Sequence, residues 1–442
     1  MATYIKRTID DELLAWKNER KRKVLLIRGA RQVGKSSSVR NLSIKFDFFL
    51  ELDFEKNREI HCLFEGNLNS KEIAEKLSVV TGIPVIPEKT LVFFDEIQSC
   101  PNAIRSLRYF YEDYPELHII AAGSLLEFAL ETLPSFGVGR IRSVFMYPLS
   151  YKEFLAAYGE NDLWDEVCRA SPEKPLFDLF HRKCLEYLKK FLLIGGMPAV
   201  VTDYIETMQI CNSQYLLTDL ITSFNSDFSK YKKRVPELRI STVFSAAVNQ
   251  SGGIFTYSKV EQLNYRQVKE SLELLQNAGL LIPVLHSSSN ALPLGGEVNI
   301  KKQKFILIDT GIFQQLSGLA LSDIFINNDI SLVNKGAIAE QFAGLELLKS
   351  GSCYRQDNLY FWSREKPQSN AEIDYIISKN GKIIPLEVKS GSSGKMQSMH
   401  LFLNEKNIEY GIRVSLENFS MYDKIKVYPL YAVGCVQSAP LD

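Results

Sequence analysis

Hydrophobic and polar positions divide the chain into an α/β front, a helical middle and a mixed α/β tail. In the first third, short apolar runs recur: Val24-Leu25-Leu26-Ile27, Leu91-Val92-Phe93-Phe94 and, after His118, Ile119-Ile120-Ala121-Ala122. Runs of this length bounded by polar residues suit strands buried on both faces of a parallel sheet. The middle changes period. Leu185–Leu193 is apolar-rich and stops at Gly195-Gly196, Ser213–Phe228 is a second helix candidate, and Leu238–Val248 a third. Thr256–Val260 leads into another helix, and Tyr265–Ala278 carries Val268, Leu272 and Leu275 near helical spacing, with Gly279 at its end. Leu280–Leu285 and Lys304–Ile308 then predict a hairpin. In the tail, a helix over Gly336–Leu348 precedes Glu372–Ile377 and Ile383–Lys389, two strand patterns joined by the turn dipeptide Asn380-Gly381.

Chemistry enters where the first run ends. Gly29-Ala30-Arg31-Gln32-Val33-Gly34-Lys35-Ser36 is a complete G-x-x-x-x-G-K-[ST] loop, set between a predicted strand and a proline-free helix start. Its glycines let successive N–H groups face an anion, and the helix N-terminus, Ser37 included, adds partial positive charge. Lys35 is placed to reach the β- and γ-phosphates and Ser36 to take one Mg²⁺ position. Asp95, ending the second apolar run, is the expected second holder of Mg²⁺, through water. Glu96 is expected to polarise the attacking water. Strand carboxyl ends are where ligands collect in open α/β sheets. The third run ends at Gly123-Ser124, so Ser124 is expected to bond the attacking water or the γ-phosphate. Arg140 or Arg142 is the candidate arginine finger, acting in cis or from a neighbouring subunit. The ligand these residues predict is ATP with Mg²⁺; no N-K-x-D motif points to GTP.

The order of phosphate loop, Phe93-Phe94-Asp95-Glu96-Ile97-Gln98, Ala122-Gly123-Ser124, Gly139-Arg140 and Tyr147–Phe154 resembles the AAA+ ATPases of prokaryotes. More narrowly it is similar to the group whose ATPase core precedes an uncharacterised C-terminal domain. Gly195-Gly196-Met197-Pro198 and Ile308-Asp309-Thr310-Gly311 extend that likeness over nearly the whole chain. The resemblance implies a P-loop NTPase sheet with the acidic strand beside the phosphate-loop strand. It also implies Ser124 as sensor, Arg140 as finger candidate and a helical lid. The resulting division is residues 1–160 ATPase core, 161–235 lid, 236–325 winged helix and 326–442 a restriction-endonuclease-like α/β domain.

The last assignment rests on a second constellation. Glu387 and Lys389 share one strand face, and hairpin register is expected to set Asp374 beside them. Two carboxylates can hold Mg²⁺ and a lysine can orient water for phosphodiester attack. The set resembles the D-(x)-E-x-K signature of that fold, with Glu340 as its additional acidic position; Ile373 stands where the fold carries proline.

Composition narrows the classes. The 442 residues hold 52 basic and 52 acidic side chains, where a dedicated nucleic-acid binder usually shows a basic excess. Lys17–Lys23, Lys230–Arg234 and Lys301–Lys304 are local basic runs, either solvated faces or nucleic-acid tracks. On the third winged-helix segment Asn264, Tyr265, Arg266, Gln267 and Lys269 would face DNA; alternatively the module binds protein. Seven cysteines without C-x-x-C spacing give no zinc or disulfide framework, and no run approaches the ~18 apolar residues of a membrane span. A cytoplasmic protein is expected, acting as an ATP-driven switch or motor on DNA, a protein or further copies of itself. The alternatives are an ATP-gated, Mg²⁺-dependent DNA-processing nuclease and a nucleotide-stabilised scaffold.

Overall fold

The computed structural model describes residues 4–132, 139–228, 235–318, 336–365, 370–389 and 396–438. The basic run Lys230–Arg234 lies outside them. The chain divides into two compact units. Met1–Pro148 forms the first together with Asn277–Gly279 and Ser352–Gln356. Leu149–Gln276, Leu280–Gly351 and Asp357–Asp442 form the second.

In the first unit β1 (Val24–Arg28), β2 (Phe48–Asp53), β3 (Thr90–Asp95), β4 (His118–Ala122) and β5 (Ile141–Phe145) pair in parallel, in the order β2-β3-β4-β1-β5. β3 and β4 are buried at every position, as their unbroken apolar runs require. Around the sheet stand α1 (Thr8–Lys17), α2 (Lys35–Ser43), α3 (Ser70–Thr81), α4 (Pro101–Asp113) and α5 (Leu126–Thr132). Proline at its first turn opens α4, and Ala103, Ile104, Leu107 and Phe110 form the stripe it buries. That stripe packs with Leu26, Val92, Phe94 and Ile119 in the core.

One expectation is corrected here. The acidic strand β3 is not the neighbour of β1; β4 lies between them. Apolar runs buried on both faces are interchangeable by pattern, so strand order follows from the crossover connections. The consequence is functional. The phosphate loop faces Asp95 across the tip of the strand that carries Ser124.

The second unit starts with α6 (Tyr151–Ala157), α7 (Asn161–Arg169), α8 (Asp178–Ile194), α9 (Pro198–Thr207) and α10 (Ile210–Phe228). These are followed by α11 (Glu237–Asn249), α12 (Tyr265–Asn277) and α13 (Thr310–Leu316). The segment expected as a helix near Thr256–Val260 is a single 3₁₀ turn, Tyr257–Lys259. β6 (Leu281–Ser287) and β7 (Val298–Leu307) make the expected antiparallel hairpin, but not a free wing. β6 pairs in parallel with β8 (Leu359–Ser363), which continues into β9 (Glu372–Lys379) and β10 (Lys382–Val388). With β11 (Gly411–Ser415), β12 (Ser420–Tyr422) and β13 (Ile425–Pro429) they form one eight-stranded sheet, β12-β13-β11-β10-β9-β8-β6-β7. The boundary placed between 325 and 326 therefore separates strands that share a sheet. Asn380-Gly381 closes β9 onto β10 with both residues at positive φ, as a two-residue hairpin requires. Against this sheet lies α14 (Gly336–Lys349), buried from Ile338 to Leu348.

Gly195-Gly196 and Ile308-Asp309 meet inside this unit. Asp309 caps α13 by accepting from the Ile312 N–H at 3.0 Å, and its other oxygen accepts from the Gly196 N–H at 2.6 Å. Both segments are therefore structural where they touch. Among the described residues no helix is long and apolar enough to cross a membrane.

Candidate functional site

The phosphate loop leaves β1 and turns through Gln32 at φ 64° and Gly34 at φ 99° before α2 begins at Lys35. Such alternation lines up backbone N–H groups around one concavity. Ala30 and Val33 are buried beneath the loop, Arg31 is half-buried, and Gln32 and Ser37 are exposed on it. Lys35 is only 6% exposed; its ammonium donates to the carbonyls of Gly29 at 2.9 Å and Ala30 at 2.7 Å. Burial pulls its pKa down to about 8, against the opposing pull of Glu96 and Asp95.

Ser36 and Asp95 meet directly, Ser36 Oγ donating to Asp95 Oδ2 at 2.6 Å. Burial raises the Asp95 pKa, the Ser36 hydroxyl partly offsetting it. Its second oxygen accepts from the Glu96 N–H at 3.0 Å. Glu96 occupies the left-handed region at φ 48°, a strained conformation for a side-chain-bearing residue. This turn sends its carboxylate toward β4, where Ser124 Oγ donates to Oε2 at 3.1 Å and Gln98 Nε2 donates to the same oxygen.

The structure thus brings together Lys35, Ser36, Asp95, Glu96 and Ser124. Arg140 is not brought there. It precedes Ile141, which pairs with Val24 at the amino end of β1, about 13 Å from the loop at ~3.3 Å per residue. Its guanidinium is paired with Glu112 on α4. Arg142 bonds Glu19 at 2.6 Å and lies over the Tyr354 ring at 5.3 Å. The finger role in cis is therefore corrected for both.

Two functional residues escaped sequence reasoning. Gln98 was visible in the acidic motif but carried no assigned role. A Cβ on Gly123 would sit 2.0 Å from Gln98 Oε1, so Gly123 is what lets the amide reach Glu96. Arg7, buried, donates to the carbonyls of Val33 at 2.9 Å and Tyr147 at 2.7 Å, bracing the loop from the N-terminal segment. Nothing local to position 7 marks it.

On the proposed DNA face of α12, Asn264, Arg266 and Lys269 are exposed and Gln267 is half-buried, and all four have partners within the same helix segment. Asn264 and Gln267 form a reciprocal cap, each accepting the other's backbone N–H at 3.0 Å. Arg266 pairs with Glu270 at 3.6 Å and Lys269 with Glu273 at 3.7 Å. The basic runs also change character. Arg22 is buried against Glu88 and the Glu116 carbonyl, and Lys304 is buried among carboxylates.

In the tail, Leu386 pairs with Tyr375, so the next step of the register sets Glu387 opposite Asp374. Asp374 Oδ2 accepts from the Val388 N–H at 2.8 Å, and Lys389 pairs with Glu387 at 2.5 Å. Glu340 comes to the same place from α14, bonded at 2.8 Å to the Lys304 ammonium. The expected group assembles, but with a lysine inside it. Among the described residues no set of three or more His, Cys, Asp or Glu is arranged to hold a metal ion. Glu340 and Asp374 both face the Lys304 ammonium, and Glu387 follows the β10 residue paired with Tyr375.

With this geometry stated, family comparison adds the class. Residues 21–155 match a family described as an AAA domain. Residues 185–323 and 335–433 match two families described as domains of unknown function (DUF8612 and DUF4143). None of the curated proteins matches the chain. Among solved structures it is similar to the Walker-type ATPase PABY2304 of Pyrococcus abyssi, at 16% identity and TM-score 0.44, over 71% of this chain and 96% of that one. ORC1 of Aeropyrum pernix in complex with DNA is similar at 12% identity and TM-score 0.29, over 74% and 95%. Cdc6p from Pyrobaculum aerophilum follows at 10% identity and TM-score 0.27, over 74% and 97%.

Proposed function

We propose that the first unit binds ATP with Mg²⁺ at Gly29–Ser37 and hydrolyses it, serving as a nucleotide-driven switch or motor. The observation that carries this reading is the 2.6 Å contact of Ser36 with Asp95, next to the buried Lys35 ammonium. A hydroxyl and a carboxylate are the hard oxygen donors that Mg²⁺ takes, so Ser36 directly and Asp95 through water fit as its holders. Bound there, the ion would neutralise charge on the β- and γ-phosphate oxygens.

The chain's own residues supply the remaining work. Loop N–H groups and Lys35 hold the phosphates in place. The carboxylate of Glu96, fixed by Ser124 and Gln98, accepts a hydrogen bond from the attacking water and orients it in line with the γ-phosphate. Ser124 thereby senses the nucleotide through Glu96. A finger contribution from Arg140 operates only from a neighbouring copy of the chain, because Arg140 stands at the amino end of the strands and its own site at their carboxyl end. DNA as the macromolecular partner draws support from Tyr265, Arg266 and Lys269, all exposed on α12.

Calorimetry with ATP and a phosphate-release assay test the reading. Lys35→Ala is expected to abolish nucleotide binding. Glu96→Gln is expected to keep affinity within about threefold and lose turnover by about a hundredfold or more. Equal ATP affinity in the wild type and Lys35→Ala overturns it.

A further inference from the structure

The acidic group of the C-terminal sheet does not fit the divalent ion that its signature implies, and the reason is Lys304. This residue lies on β7, opposite Val284 in the hairpin, and its side chain is 2% exposed. Its ammonium lies 2.8 Å from Glu340 Oε1, is paired with Glu372, and stands 3.9 Å from Asp374 Oδ1. The ring of Phe361 on β8 covers it at 5.2 Å. Three carboxylates from α14 and β9 thus surround one positive charge that is shielded from water.

We infer that the Lys304 ammonium occupies the position of a divalent cation, so that this site is a built-in, metal-free lock whose ion is the protein's own side chain. The same three carboxylates are hard oxygen donors of the type a Mg²⁺ or Mn²⁺ ion takes. An ammonium and a divalent ion among them would repel at a few ångströms in a low-dielectric interior, so the two exclude each other. Burial by itself disfavours a charged lysine. The surrounding carboxylates outweigh that cost and hold Lys304 charged, while burial and Asp374 push Glu340 upward. Removing the ammonium leaves an uncompensated cluster that a divalent ion would satisfy.

Glu387 provides a second sign of an incomplete cation site. It is 5% exposed; Oε1 is held by Lys389, while Oε2 is buried without a hydrogen-bond partner. Asp374, directly across the register, keeps one oxygen on the Val388 N–H and turns the other toward Lys304. The lock also joins separate stretches of sequence, since Lys304, Glu340 and Asp374 come from β7, α14 and β9. Cleavage chemistry at this group is thereby disabled by an internal cation.

Mn²⁺ titration of the full-length chain without nucleotide tests the proposal, by calorimetry and by thermal unfolding. The wild type should show no Mn²⁺ binding that depends on Asp374. Lys304→Ala should gain one Mn²⁺ per chain and a Tm that rises with Mn²⁺, both abolished by adding Asp374→Asn. Asp374-dependent Mn²⁺ binding by the wild type overturns the inference, and so does a folded Lys304→Ala protein that gains none. Should Lys304→Ala fold only with Mn²⁺ present, the inference is supported. Should it not fold at all, Lys304→Ala with Glu372→Gln, which removes one of the repelling charges, must show the same gain; its absence there overturns the inference.

Discussion

A single carboxylate explains why this site needs more than its two motifs. Glu96 is turned by its left-handed backbone and then fixed by Ser124 and Gln98, and the second of these bonds exists only because position 123 has no side chain. Gly123→Ala is expected to displace the Gln98 amide and slow hydrolysis by at least about tenfold, with ATP affinity nearly unchanged. Steady-state phosphate release beside calorimetric binding checks the split; equal loss of both would place the effect on the loop instead. His118 gives the pH response. It is buried on β4 between Trp16 and Phe46, and burial pulls its pKa from 6.5 down to about 4. Between those values the unfolded chain binds more protons than the native one, so stability falls as pH falls through the window. The loss reaches about 3 kcal/mol at the acid end and should shrink in His118→Gln, measured by denaturant unfolding at pH 7 and pH 4.5.

At the scale of elements, the paired motifs behave as joints. Asp309 holds the turn after α8 through Gly196 and the first turn of α13 through Ile312, both while fully buried. Asp309→Ala should cost about 2–3 kcal/mol in urea unfolding, since it orphans two N–H groups. Sequence periodicity located most of these elements. β1, β3, β4, α11, α12 and the β9–β10 hairpin stand where their patterns place them, whereas α8, α10 and β7 begin three to seven residues before the marked stretches, and no pattern marked β2 or β5. It failed for Thr256–Val260, whose five residues support only one 3₁₀ turn, and for the hairpin β6–β7 as a wing. An antiparallel pair reads alike whether its outer edge is solvated or hydrogen-bonded to a distant strand such as β8.

For the molecule as a whole, charge is balanced both in sum and in place. The 52 basic and 52 acidic residues cancel, and among the described residues several basic positions singled out by the sequence have acidic partners: Arg22 with Glu88, Arg266 with Glu270, Lys304 with Glu340. Binding of the full-length chain to duplex DNA should therefore show a shallow salt dependence, reporting about two phosphate contacts or fewer. Fluorescence anisotropy at 50 and 200 mM salt measures it, and a slope several-fold steeper would show a basic track that the described residues do not present.

By itself the sequence determined the phosphate loop of the first unit, because such a loop needs only contiguous residues: a strand, two glycines, a lysine and a hydroxyl at fixed spacing. It likewise marked Asp95, Glu96 and Ser124 as strand-end residues. Only the tertiary structure decided which strands are neighbours, that Arg140 stands at the wrong end of the strands for its own site, and that Lys304 fills the acidic group of the tail. Those outcomes depend on long-range register and burial, where side chains dozens of residues apart compete for one position, and no local pattern encodes which of them arrives.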